Sequence, residues 1–257
     1  VALLFAGLAG AMRLGGDDRH SASLAAGIEP GRGALLPGIM LWAWERPEDL
    51  GFIDTEAVGV AFLSETCCLR GDEVLVRPRL QPLIAPPGSI MEAVVRIESD
   101  MRDPPVLSAR QMAGLMRIIG RAARKPGVKA IQIDFDARRS QRDFYKELLH
   151  KLRSTLPDDM VLSITALASW CMYDSWISGL PVDEVVPMVF RMGADHGRIH
   201  SSLEKRKEFI FSGCRRSVGI STDEPVSGIP PGMRLYIFNP KRWSQGAFQS
   251  ILKKVGR

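Results

Sequence analysis

From about residue 36 onward, apolar residues fall into short blocks separated by polar, glycine- or proline-containing stretches. The blocks Ile39–Trp44, Val58–Leu63, Ala93–Glu98, Val128–Ala137, Val161–Ala166, Glu184–Phe190, Ser217–Ser221 and Arg234–Phe238 are too short for ordinary helices. They are rich in β-branched and aromatic residues, which predicts strands. Between several of them the apolar period changes to that of a helix. Ser108 and Gln111 have capping-box spacing, and Met112, Leu115, Met116, Ile119 and Ala123 share one helical face up to Pro126-Gly127. A second helix is predicted from about Ser140, with Phe144, Leu148 and Leu152 inward and Pro157 as its stop. A third is predicted from Ser201, with Glu204 as the box partner, to Phe211. A last one opens at Ser244 with Phe248, Ile251, Leu252 and Val255 on one side. Leu69–Asp72 reads as a turn, so Val74–Arg77 is expected to return as a hairpin beside the second strand.

Eight strands with intervening helices predict an α/β fold, a (β/α)8 TIM-type barrel with a short hairpin insertion after strand two. The alternative is an open doubly wound sheet. That fold usually carries a G-x-G-x-x-G turn after its first strand, and the chain has none.

The strand Val128–Ala137 changes this picture from fold to site. It ends in Asp134 and Asp136, which alternate with Ile133 and Phe135, so both carboxylates leave on one face. Two like charges on one side of a strand belong at its open C-terminal end, where a barrel carries its chemistry. Arg138 lies just beyond this strand, and the same end of the other strands offers Trp42, Trp44 and Glu45, then Arg96 and Glu98, then Thr165, Trp170, Asp174, Met188, Arg191, Asp223, Glu224 and Asn239. Acids and tryptophans around one mouth suit sugars, because indole faces stack on pyranose rings and carboxylates bond hydroxyls or deliver protons. Asp134, Asp136 and Glu224 are therefore the candidate catalytic residues. Trp44, Glu45, Arg96, Glu98, Trp170, Arg191 and Asn239 are the candidate substrate-binding residues. For the two aspartates the competing reading is a structural ion pair with Arg96 or Arg191; for the two tryptophans it is core packing.

Composition narrows the classes. The chain has 257 residues, 46% apolar and 25% charged, enough for one large barrel. The net charge of +5 is spread over scattered clusters (Arg138-Arg139, Lys205 to Lys207, Arg215-Arg216, Lys241-Arg242) without interleaved aromatics, which argues against a nucleic-acid surface. His196 and His200 are spaced i, i+4 but no glutamate follows the first, and no G-x-S-x-G elbow exists. No metal, no cofactor and no serine or cysteine nucleophile is expected. Cys67, Cys68, Cys171 and Cys214 show no C-x-x-C spacing, and buried free thiols are expected, with a pairing left open. The apolar run Val1–Met12, followed by Arg13, is too short to span a bilayer and has the length of a secretory signal core. Residues 1–35 are accordingly expected to be a signal-like segment and tether, residues 36–257 a single barrel domain, and the protein exported to the periplasm or beyond.

Two resemblances sharpen this reading. The strand Ile131–Asp136 resembles the fourth strand of chitinase-type (family 18) glycoside hydrolases, which carries D-x-x-D-x-D-x-E with the glutamate as proton donor. Asp134 and Asp136 match, while Ile131 and Arg138 stand at the first and last positions. Leu41–Leu50, Ile131–Ala137, Ser163–Cys171 and Val186–Gly193 resemble a bacterial domain of unknown function, family 3142. The resemblance implies a barrel related to glycoside hydrolases. The expectation is a glycoside-hydrolase-like barrel acting on a polysaccharide by carboxylate acid/base chemistry, with carbohydrate as its partner. The alternative is a non-catalytic carbohydrate-binding or scaffold barrel, motivated by Arg138.

Overall fold

The computed structural model describes residues 32–206, 208–226 and 228–257. The signal-like run Val1–Met12 lies outside the described residues. Among those described, the strands are β1 (Ile39–Ala43), β2 (Glu48–Asp49), β3 (Val58–Arg70), β4 (Glu73–Pro78), β5 (Leu83–Ile84), β6 (Met91–Ser99), β7 (Val128–Asp134), β8 (Val161–Leu167), β9 (Glu184–Met188), β10 (Ser217–Ser221) and β11 (Arg234–Phe238). The α-helices are α1 (Ala109–Ala123), α2 (Arg142–Thr155), α3 (Ala168–Tyr173), α4 (His196–Arg206) and α5 (Gln245–Lys254).

The main sheet runs β1-β11-β10-β9-β8-β7-β6-β3, and a β1–β3 pairing closes it. All eight of these strands pair in parallel, which makes a closed (β/α)8 barrel. β3 continues past the expected Leu63 to Arg70, shifting register between Leu63 and Glu65. Its second half pairs antiparallel with β4, the expected hairpin, through a turn at Gly71, whose φ of +47° suits glycine. β2 and β5 form a separate small parallel pair.

Alternation along each strand builds two cores. Met40, Trp42, Ala61, Val94, Ala130, Val186 and Tyr236 fill the barrel interior. Leu41, Val95, Ile131, Ile133 and Ile164 face outward onto the helices, against residues such as Leu115, Ile119 and Leu148. Two glycines make room for the inner layer. A Cβ on Gly59 would lie 2.6 Å from the Met40 sulfur, and one on Gly219 would lie 2.9 Å from the Trp42 ring.

α1 has the expected capping box, with Ser108 Oγ accepting from the Gln111 amide and Gln111 Oε1 accepting from the Ser108 amide. Ser244 caps α5 from one side only, its Oγ accepting from the Ala247 amide. Two helices differ from expectation. α4 begins at His196 instead of Ser201 because its inward pair is Ile199 and Leu203, and it is described only to Arg206. α3 was not anticipated; its buried Ala168, Trp170, Cys171 and Met172 leave little periodic contrast in the sequence. Cys171 and Cys214 form a disulfide between α3 and the segment before β10, which corrects the expectation of free thiols for these two. Cys67 and Cys68 are free, and burial pushes the Cys67 thiol up to about 12.

Candidate active site

The open end of the barrel holds a cavity of about 640 Å3. Its walls come from the residues that follow the alternation off the tops of β1, β6, β7, β8, β9 and β11. Arg96 of β6 pairs in register with Asp134 of β7, which sets them side by side facing the axis. Asp136 lies one alternation further on. Phe135 between them turns outward and packs edge-on against Tyr145 of α2, with ring centroids 5.2 Å apart. Asp134 and Asp136 both line the cavity.

Their environments differ. Thr165 Oγ1 donates to Asp134 Oδ1 at 2.7 Å. Burial raises the Asp134 carboxyl above its ordinary value, and the Thr165 bond and the Arg96 charge only partly oppose this. Asp136 makes no hydrogen bond or ion pair among the described residues. Asp136 is itself exposed at the mouth, and partial desolvation by the surrounding walls and then the neighbouring Asp134 charge raise its carboxyl, again against Arg96. Neither aspartate forms the arginine ion pair held open as the competing reading, because Arg96 is taken by Glu98, with Nε 2.8 Å from Oε1.

One wall is aromatic. Phe190 and Phe238 stack with centroids 5.7 Å apart and planes 7° from parallel. Trp44 meets Phe238 edge-on at 6.3 Å, and the Arg96 guanidinium lies 5.8 Å from the Trp44 ring. Trp42 packs against Tyr236 and Phe190 at 5.4 and 6.1 Å. Its indole N–H donates to Gln132 Oε1 at 2.8 Å, which fixes the ring across the cavity floor.

Six of the candidate residues thus share the cavity: Trp44, Arg96, Glu98, Asp134, Asp136 and Arg191. The other four do not line it. Trp170 is buried in α3 and packs edge-on to Trp176 at 4.8 Å, because the chain turns into a helix right after β8 and carries the indole into the outer core. Glu224 is bound by Arg191, whose backbone N–H and guanidinium both reach its carboxylate, while Arg191 Nη2 is 2.7 Å from Asp223. Arg191 holds φ at +54° to do this. Asn239 is buried and closes a turn, accepting from Thr222 Oγ1 and the Lys241 amide. Glu45 points to solvent outside the cavity, its nearest hydrogen-bond contact a long 3.4 Å from Thr66 Oγ1. Phe190, Phe238, Ser99 and Gln141 line the cavity and were not anticipated. Continuing the period of two beyond Met188 and Tyr236 would have found the two phenylalanines.

No group of three or more metal-ligating side chains occurs among the described residues. Chemically, the arrangement can hold a ring against the aromatic wall and present it with the Asp136 carboxyl, raised above its ordinary value, and with Glu98, which is paired to Arg96.

Residues 88–193 match the family model of a domain of unknown function, DUF3142. The matched stretch runs from just before β6 to the end of the Arg191 turn, so it contains Arg96, Glu98, Asp134 and Asp136. One solved structure, the crystal structure of the Bacillus cereus spore cortex-lytic enzyme SleL, is similar at 17% sequence identity with a TM-score of 0.46. The similarity covers 85% of this chain and 58% of that one. Among curated proteins none matches.

Proposed function

We propose that the protein is a glycoside hydrolase acting on a polysaccharide, with Asp136 as the proton donor. The observation that carries this reading is the state of Asp136. It is a carboxyl without a partner among the described residues, raised above its ordinary value, on a cavity with an aromatic wall. A general acid works best when its pKa approaches the working pH. The glycosidic C–O bond breaks as the Asp136 proton passes to the leaving oxygen. Glu98, beside Arg96, accepts a proton from the water that adds to the anomeric carbon. Asp134 raises Asp136 by its negative charge, and Thr165 fixes Asp134. Trp44 and the phenylalanines hold the sugar ring. The Cys171–Cys214 disulfide supports an oxidising location, in keeping with export.

The test is release of reducing ends from a panel of soluble and insoluble polysaccharides by the wild-type chain and by Asp136→Asn, together with calorimetric binding to the same panel. Hydrolysis lost in Asp136→Asn with binding retained supports the proposal. Full activity in that variant removes Asp136 from the mechanism. A second reading, a barrel that binds glycans without cleaving them, is favoured by Arg138 at the position where the chitinase-type strand has its glutamate. It expects binding without cleavage by the wild-type chain, and loss of that binding in Trp44→Ala.

A further inference from the structure

A second depression, of about 550 Å3, lies on the outside of the barrel between α1 and β4. It shares no lining residue with the mouth cavity. Val74 and Val76, on one face of β4, form its floor, and Arg110, Arg117, Arg121 and Arg124 of the α1 segment stand along its side. Gly114 lets the helix come close, since a Cβ there would lie 3.1 Å from a Val74 methyl.

Three features of this groove point the same way. Its charge is largely uncompensated. Arg110 approaches Asp72 and Glu73 at 3.7 and 3.8 Å, whereas Arg117, Arg121 and Arg124 make no ion pair among the described residues. Its strand is unfinished. β4 ends the sheet order and pairs only with β3, and Leu75 and Val76 are exposed at 37% and 36%. An edge strand without such a neighbour offers a row of backbone donors and acceptors to any extended chain. Its dimensions also fit. A helix rises about 1.5 Å per residue, so Arg117 to Arg124 spans about 10.5 Å. Alternate residues of an extended chain are about 6.6–6.8 Å apart, which brings successive side chains of one face within reach of that row.

We propose that this groove binds an acidic, extended peptide segment of another protein, which adds as a strand to the free edge of β4 and sets alternate carboxylates against Arg117, Arg121 and Arg124. The strand edge selects a peptide over other polyanions, because only a polypeptide backbone can continue the ladder. The lining contains no aromatic ring on which a sugar or a base would stack.

The probe is a short labelled peptide alternating Glu and Val, followed by fluorescence anisotropy with the full chain. Saturable binding is expected, weakening as salt rises and falling at least about tenfold in Arg117→Glu/Arg121→Glu, where exposed ion pairs are reversed into repulsions. The same peptide with alternate backbone nitrogens methylated keeps its charge but cannot pair as a strand, and it should not bind. This arm needs no variant of the protein. Absence of binding overturns the proposal. So does equal binding of the methylated peptide, or of an oligogalacturonate of equal charge, which would make the groove a general polyanion surface. So does unchanged affinity in the charge-reversed variant or in its milder form, Arg117→Gln/Arg121→Gln.

Discussion

Asp134 and Asp136 at the mouth of the barrel and Glu92 and Glu184 near its base all face the axis, but their neighbours give them different work. At the base every charge is sealed. Glu184 is 2% exposed and meets Arg234 and the Tyr236 hydroxyl, the latter at 2.8 Å. Arg234 is anchored in turn on the carbonyls of Leu36 and Pro37. Glu92 is fully buried; its Oε1 accepts from Ser163 Oγ at 2.7 Å while Oε2 has no partner among the described residues, and burial together with the Glu184 charge pushes it up to about 8. At the mouth, by contrast, Asp136 has no hydrogen-bond or ion-pair partner among the described residues and lines an open cavity. A carboxyl closed in beneath the packed interior is out of reach of a ligand and serves the fold, whereas one at an opening is available to a ligand. Between the two levels lies the Trp42 indole, bonded through Gln132 and Ser163 down to Glu92.

The strongest attack on this contrast is Asp136→Asn. Loss of a general acid should lower the rate on a cleaved glycan about 10²–10⁴-fold, with the unfolding midpoint in urea nearly unchanged. A large stability loss without an activity loss would place Asp136 with the structural acids. Arg234→Met probes the opposite level. It strands Glu184 as a buried charge, and removing one partner of such a pair typically costs about 3–5 kcal/mol, to be read from denaturant unfolding. Gly219→Ala probes the layer between them. Its methyl meets the Trp42 ring, and overpacking of this kind costs about 1–3 kcal/mol, with Trp42 fluorescence reporting any shift of the indole.

The remaining effect is a slope with pH. Glu92 ionises near 4.5 when unfolded and at about 8 when folded. Between those values the folded state holds a proton that the unfolded state has released. Its contribution to stability is therefore fully present below about 4.5 and lost as pH rises through about 8. Glu92→Gln cannot ionise and should flatten that part of the stability–pH curve. An unchanged curve would mean that another group governs it.

The barrel was legible because period-two blocks carry their own direction: once Ile131 and Ile133 face out, Gln132, Asp134 and Asp136 must face in. The same logic placed Arg96 and Glu98 on the cavity. It stopped where strands ended. Trp170, Glu224 and Asn239 all follow a strand terminus, and nothing local says that the chain turns at once into α3, into the Arg191 ion pair, or into a tight turn. The Cys171–Cys214 bond was hidden for a related reason, since it depends on how α3 meets a distant loop. The length of β3 was also hidden, because Ser64 to Thr66 interrupt its apolar run while remaining buried.

The Trp42 ring also decides how a long polymer can approach. With the indole laid across the axis and packed side chains beneath it, the barrel is a cul-de-sac among the described residues, open at the mouth. If the proposed function holds, a chain of sugars rests across that mouth or dips one terminus into it and is not threaded through.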